Sequence, residues 1–170
     1  MRMNKALLFP SLLVASITFA QVVSRPAVRT TPANPADVDT VDHIVKSLYD
    51  VISGPAGQKR DWNRMRSLFL REDSLSAVVE NKGTVRHPMF TLDQYVKSGD
   101  TYFKTHGFFE HEVTRKSELF AHIAHVFSTY ESRHAPDDKK PFERGINSIQ
   151  LLNDGHRWWI LNVLWEGEKK

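Results

Sequence analysis

Three stretches toward the end of the chain alternate apolar and polar residues: Glu110 to Phe120, Ile123 to Arg133, and Glu143 to Glu166, the last broken at Asn153-Asp154-Gly155-His156. A period of two marks strands with one buried face. An Asp-Gly pair between two such runs marks a hairpin, because both central residues of a type I′ turn need positive φ. With Asn153 opposite His156, the pairing is expected to set Leu151 against Trp158, Ile149 against Ile160, Asn147 against Asn162 and Gly145 against Leu164. A slip of one residue would turn every side chain to the other face.

The same reading extends to the preceding runs. Glu131 opposite Arg144 sets Ser128 against Asn147, Val126 against Ile149 and Ala124 against Leu151, leaving a loop that carries Pro136, Asp137, Asp138 and Pro141. A turn at Ala121-His122 pairs Phe120 with Ile123, and then Arg115 with Ser128, Val113 with Tyr130 and Glu110 with Arg133. This register puts Glu112 opposite Glu131, a like-charge contact that Arg144 has to offset. One face then holds Leu119, Ala124, Val126, Ile149, Leu151, Trp158, Ile160 and Leu164, crossed by a polar row of Arg115, Ser128, Asn147 and Asn162, with Tyr130 and His111 beyond it. The other face carries Phe127, Ile146, Trp159, Leu161, Val163 and Trp165, an apolar patch larger than a soluble monomer normally exposes.

Upstream, the chain starts with Arg2 and Lys5, runs through the apolar stretch Ala6 to Ala20, and reaches Thr18-Phe19-Ala20 before Gln21. That order reads as a signal peptide over 1–20, with cleavage after Ala20 and a periplasmic or extracellular destination. Pro10 and the shortness of the run argue against a membrane span. The chain has no cysteine, hence neither disulfides nor a lipidated cysteine. Taking Arg2 and Lys5 from the 23 basic residues leaves 21 against 20 acidic ones, so nothing points to nucleic acid. Residues 21–36, with Pro26, Pro32 and Pro35, read as a flexible linker. One domain is expected over 37–168, long enough to bury a core without cross-links.

Within it, Val41, Ile44, Val45, Leu48 and Ile52 recur at helical spacing, Asp61 caps a short helix carrying Trp62, Met65, Leu68 and Phe69, and Thr91 with Gln94 forms a capping box before Leu92, Tyr95, Val96 and Phe103. Leu75 to Glu80 and Thr84 to Phe90 form a strand pair around Asn81-Lys82-Gly83. Helices followed by a long meander imply an α+β fold with helices on one face of the sheet. This order, together with Gly107-Phe108-Phe109-Glu110, the run Ile123 to Arg133, Arg144 to Gln150 and Gly155 to Ile160, resembles the nuclear transport factor 2-like superfamily. That superfamily includes ketosteroid isomerase, scytalone dehydratase and the SnoaL-like cyclases, and the chain looks most like its secreted branch of unassigned chemistry. The resemblance implies a cone-shaped, curved antiparallel sheet packed on three N-terminal helices, a pocket between sheet and first helix, and homodimers formed through the outer sheet face.

The polar row would cross that pocket, with Tyr49 on the first helix as a neighbour. Tyr49, Arg115, Ser128, Asn147, Asn162 and Trp158 are therefore the expected ligand-binding residues, since few convergent polar groups in an apolar cavity suit a small molecule. The arginine offers a planar fork to a carboxylate or sulfonate. The alternative is that the row satisfies its own hydrogen bonds. Enzymes that the resemblance brings in use a carboxylate or histidine base, and the expected concave strand face carries no carboxylate. His111 and Tyr130 are the catalytic candidates on it. Asp50, Asp61, Asp73 and Asp93 could enter from elsewhere, although Asp61 and Asp93 read as helix-start residues. His122 and His125 lie three apart on a strand and point to opposite faces, so no metal site is expected. No cofactor motif is present: there is no phosphate-binding glycine loop and no nucleophile elbow.

The sequence thus points to an exported binder of a small, largely apolar molecule with a polar or anionic end. The alternatives are an isomerase, dehydratase or cyclase using the same pocket, and an envelope protein-interaction module.

Overall fold

The computed structural model describes residues 32–70 and 75–169. The expected signal peptide, most of the expected linker and Asp73 lie outside the described residues. Four helices and seven strands follow in order: α1 Pro35–Val38, α2 Val41–Ile52, α3 Trp62–Leu68, β1 Leu75–Asn81, β2 Thr84–Arg86, β3 Met89–Phe90, α4 Leu92–Phe103, β4 Phe109–Phe120, β5 Ile123–Arg133, β6 Glu143–Asn153 and β7 Trp158–Gly167.

Local chemistry sets the helix starts. Asn34 accepts from the Ala36 amide with Pro35 in the first turn, so a short helix opens two residues ahead of Asp37. Thr40 accepts from His43 N, Asp61 from Arg64 N, and Thr91 with Gln94 makes both bonds of the capping box, each satisfying an amide that the helix itself leaves unpaired. Pro88 interrupts the second half of the expected strand pair and splits it into β2 and β3, because a proline cannot donate to the ladder.

The sheet runs β2-β1-β7-β6-β5-β4, with β3 added on β1. It is antiparallel except that β1 runs parallel to β7, Leu75 opposite Val163. The fold is therefore an α+β cone with a curved, unclosed, mixed sheet rather than a wholly antiparallel one. The core fills the space between the concave face and α2 and α3: Ile44, Val45, Leu48, Met65, Leu68, Phe69, Val126, Ile149, Leu151 and Ile160 are almost wholly buried. Side chains of this size contribute roughly 1.5–3 kcal/mol each when fully removed from water. Two arginines, Arg60 buried and Arg64 partly buried, tie the helices down. Arg64 grips Asp37 through two bonds of 2.8 Å, and Ser47 adds a third donor at 3.0 Å. Arg60 donates to the carbonyls of Ile52, Gly54, Pro55 and Gln58 and lies over the Phe103 ring.

The β5–β6 register is the expected one along its whole length, including Ser128 with Asn147 and Glu131 with Arg144. The outer pairs depart from expectation at two bulges. Along β4 the pairing holds from Phe120–Ile123 to Thr114–Thr129; Val113 is then extra, and Glu112 faces Tyr130, His111 faces Glu131 and Glu110 faces Ser132. The like-charge contact of Glu112 with Glu131 is thereby avoided. One added residue reverses the inside and outside of everything beyond it. Glu110 and Glu112 turn to the concave face, while His111 and Val113 turn out.

The β6–β7 hairpin departs in two steps. Asp154 has no positive φ, so the type I′ turn does not form; instead the Asp154 carboxylate accepts from the amides of His156 and Arg157 and from the Trp159 indole, and Asn153 faces Trp158. An aspartate that bonds the backbone ahead of it favours such a wider loop. This shift of two keeps the faces of Trp158 and Ile160. A bulge at Leu161 then sets Asn162 opposite Gln150, Val163 opposite Ile149 and Trp165 opposite Asn147. Val163 and Trp165 therefore belong inside, and Asn162 and Leu164 outside, the reverse of expectation.

Candidate functional site

The expected polar row exists in altered form. Asn147 Nδ2 donates to the Tyr49 hydroxyl at 3.1 Å, and Tyr49 and Ser128 hydroxyls lie 2.7 Å apart. Ser128 Oγ donates its proton to Glu112 Oε1 at 2.6 Å, so the Tyr49–Ser128 bond must be donated by the phenol. The chain continues through Arg115, whose Nε reaches Glu112 at 3.1 Å and whose Nη2 reaches Asp42 at 3.0 Å. Four expected ligand-binding residues, Tyr49, Arg115, Ser128 and Asn147, thus occur together: Tyr49 bonds both Ser128 and Asn147, and Arg115 joins them only through Glu112. Burial, with the charges of Glu110 and Glu112 adding to it, lifts the Tyr49 phenol to about 12. It stays protonated and fixes the direction of the chain.

Beside this chain lies a cavity of about 210 Å³ under α2, α3 and α4. Its apolar wall is Leu48, Ile52, Met65, Leu75, Phe108, Val163 and Trp165, and its polar groups are Tyr95, Glu110, Tyr130, Glu143 and Asn147. The volume falls below the roughly 300–1,000 Å³ typical of drug-sized sites, so it suits a compact molecule. Trp165 forms one side, stacked on Phe90 and met edge-on by Tyr95.

Glu110 is set in place from both ends. Ser53, just past α2, donates to the Glu110 carbonyl at 3.1 Å and accepts from its amide at 3.0 Å. The carboxylate receives Ser132 Oγ at 2.8 Å and Asn147 Nδ2 at 3.4 Å. Burial outweighs these bonds and, with the Glu143 charge adding to it, pushes the carboxyl up to about 7. Tyr130 donates to Glu143 Oε1 at 2.8 Å. Burial first, and then this bond, hold the Tyr130 phenol well above the usual tyrosine range. Tyr95 is raised as well, by burial and the Glu110 charge. Gly145 faces Tyr130 across the strands, where an added Cβ would sit 2.7 Å from the phenol oxygen.

Several expectations are corrected by these positions. The concave strand face carries Glu110, Glu112 and Glu143 rather than no carboxylate. His111 is exposed on the outer side, with its Nε2 3.4 Å from Arg133. Asn162 leaves the row, and Trp158 is buried in the core rather than lining the cavity. Tyr130 and Asn147 do line it. His125 bonds Ser148 at 3.1 Å, Asp50 pairs with Lys46, and Asp61 and Asp93 serve helix starts. Sequence reasoning missed Glu110, Glu112, Glu143 and Tyr95. Glu143 shares the alternation of Gly145 and Asn147, and the unfavourable Glu112–Glu131 contact was the available sign of a bulge.

These features define a class: an open α+β cone with a small helix-covered cavity on its concave face. No family model and no curated protein matches the sequence. Its structure is similar to an NTF2-like protein of unknown function from Shewanella baltica (11% identity, 76% of this chain and 91% of that chain covered, TM-score 0.52). It is also similar to an NTF-2 like protein of unknown function from Silicibacter pomeroyi (13%, 76% and 94%, TM-score 0.50) and to a protein of unknown function with a cystatin-like fold from Nostoc punctiforme (9%, 77% and 95%, TM-score 0.54). At such identities the likeness is one of fold. The chain has the nuclear transport factor 2-like fold. Among the described residues, no helix is long and apolar enough to cross a membrane.

Proposed function

We propose that this protein binds a small, largely apolar molecule in the cavity bounded by Glu110, Tyr130, Glu143 and Asn147. The observation that carries this reading is the cavity itself: an apolar wall meeting a few converging polar groups, one of them a carboxylate whose charged form is held at a disadvantage by burial. The polar end of the ligand is not anionic, a revision of the sequence expectation, because Arg115 does not line the cavity and the carboxylates Glu110 and Glu143 do. A thermal-shift screen of the purified chain against a broad metabolite library, followed by native mass spectrometry, tests it. Stabilisation by at least one compound that is weakened in Glu110→Gln supports binding, and no shift across the library contradicts it.

A second reading, an isomerase, dehydratase or cyclase, is favoured by Glu110 alone. A carboxyl near 7 is poised to exchange protons at neutral pH. Against it, Tyr130 is committed to Glu143, and Asn147 to Tyr49 and Glu110, so neither is available to a developing oxyanion. Deuterium uptake from solvent into a panel of cyclic ketones, lost in Glu110→Gln, would establish turnover.

Two further parts of the reading rest on sequence and surface. The basic start and apolar run before Gln21 support export to the periplasm or medium and the placing of the chain in a secreted branch. The outer sheet face, with Phe127 46% and Leu164 38% exposed beside Ile146 and Val78, supports a homodimer through that face; the patch no longer includes Val163. Light scattering at tens of micromolar checks it, and a monomer there would favour a foreign partner instead.

A further inference from the structure

Building on the cavity reading, we infer that the occupant is a small organic cation, an amine whose ammonium sits by Glu110 and Glu143 and whose apolar body lies against Tyr95, Phe108 and Trp165. The charge inventory points this way. From β4 the cavity receives Glu110 and from β6 Glu143; α4 and β5 add the phenols Tyr95 and Tyr130, while α2, α3 and β7 contribute Leu48, Ile52, Met65, Val163 and Trp165. Tyr49, bonded to the lining Asn147, is a phenol as well, and Glu112, reached through Ser128, is paired with Arg115. Among the described residues lining the cavity there is no lysine, arginine or histidine. Two carboxylates in one apolar pocket repel each other, and a bound cation removes that repulsion. Aromatic rings add to the attraction, since their faces carry negative potential. An ionised carboxylate has acceptor sites beyond the two donors that Glu110 already receives.

An organic cation fits better than a metal ion. Among the described residues, no group of three or more His, Cys, Asp or Glu converges to make a cage, and most of the wall is hydrocarbon or aromatic. The size of the cavity restricts the body to about one ring.

The test uses three probes of the same shape, benzylamine, benzyl alcohol and benzoate, titrated by calorimetry into the purified chain. At pH 7.5 benzylamine is expected to bind at least tenfold more tightly than either of the others, with Glu110→Gln and Glu143→Gln each removing most of that preference. The pH profile of the unaltered chain provides a readout independent of how the variants fold. Benzylamine stays protonated between pH 5 and 8, so its affinity should weaken by up to tenfold per unit as Glu110 takes up a proton below about 7. Equal or tighter binding of the alcohol or benzoate, or a flat profile, overturns the cation assignment and leaves the cavity reading standing. Should none of the three bind, library hits confined to uncharged or anionic compounds would refute the cation assignment alone, an amine among the hits would support it, and no hit would refute both.

Discussion

Tyr130 stands across the strands from Gly145, and a methyl group on that glycine would meet both the phenol oxygen at 2.7 Å and the Glu166 carbonyl at 2.3 Å. Neither obstacle is the loose end of a flexible chain: one is backbone, the other is held by Glu143. Gly145→Ala is therefore expected to destabilise the fold by about 1–3 kcal/mol, the range for overpacking a close contact. Urea denaturation measures the loss, and near-ultraviolet circular dichroism should show the environment of Tyr130 changing with it.

Glu110 makes the opposite contribution at high pH. Its carboxyl is raised from 4.5 to about 7 in the folded chain, so between those values the native state holds more protons than the unfolded state, and stability falls as pH rises through that window. Glu110→Gln removes the penalty. It should be more stable than the parent at pH 8, by on the order of 1–3 kcal/mol, and show no advantage at pH 4. Thermal unfolding at the two pH values decides; an equal gain at both would contradict the assignment.

The Asp37–Arg64 pair is expected to behave as an ion pair buried at its carboxylate end. Arg64→Met strands the Asp37 carboxylate, only 10% exposed, with Ser47 as its remaining side-chain donor. A loss of about 2–4 kcal/mol follows from leaving a buried charge uncompensated. Hydrogen bonding from Arg64 holds the Asp37 carboxyl below its ordinary 3.8, so the stability it contributes is present above that value and disappears as pH drops through the lower folded one. Denaturation curves of parent and variant should converge below pH 3.8.

Arg60 serves four backbone carbonyls from one planar group. Lysine keeps the charge but has three donors on a point-like head and cannot reproduce the fork. Arg60→Lys should lose about 2–3 kcal/mol, in keeping with broken bonds to a charged donor, and hydrogen exchange should rise over the segment Ser53 to Gln58.

How much of this was readable in the sequence depended on whether a strand keeps strict alternation. β5 and β6 do, so every pair between them followed from placing Glu131 by Arg144. The helix starts were legible because Asp61, Thr91 and Gln94 act within their own turn. The bulges were not, since an extra residue leaves composition and local propensity unchanged and shows only in which partners meet. That alone moved His111 and Asn162 out of the interior and brought Glu110, Val163 and Trp165 in. The turn at Asp154-Gly155 misled for a related reason: a type I′ turn does occur at Lys82-Gly83, where both residues have positive φ, whereas Asp154 had a better use for its side chain.

The extra residues at Val113 and Leu161 also bear on how relatives of this chain are to be compared. A homologous strand one residue shorter, written beneath β4 without a gap, would bring its inward carboxylate into the column of an outward imidazole. A gap placed at those two positions restores the correspondence, and ancestry judged from ungapped columns would report divergence where the interior is shared.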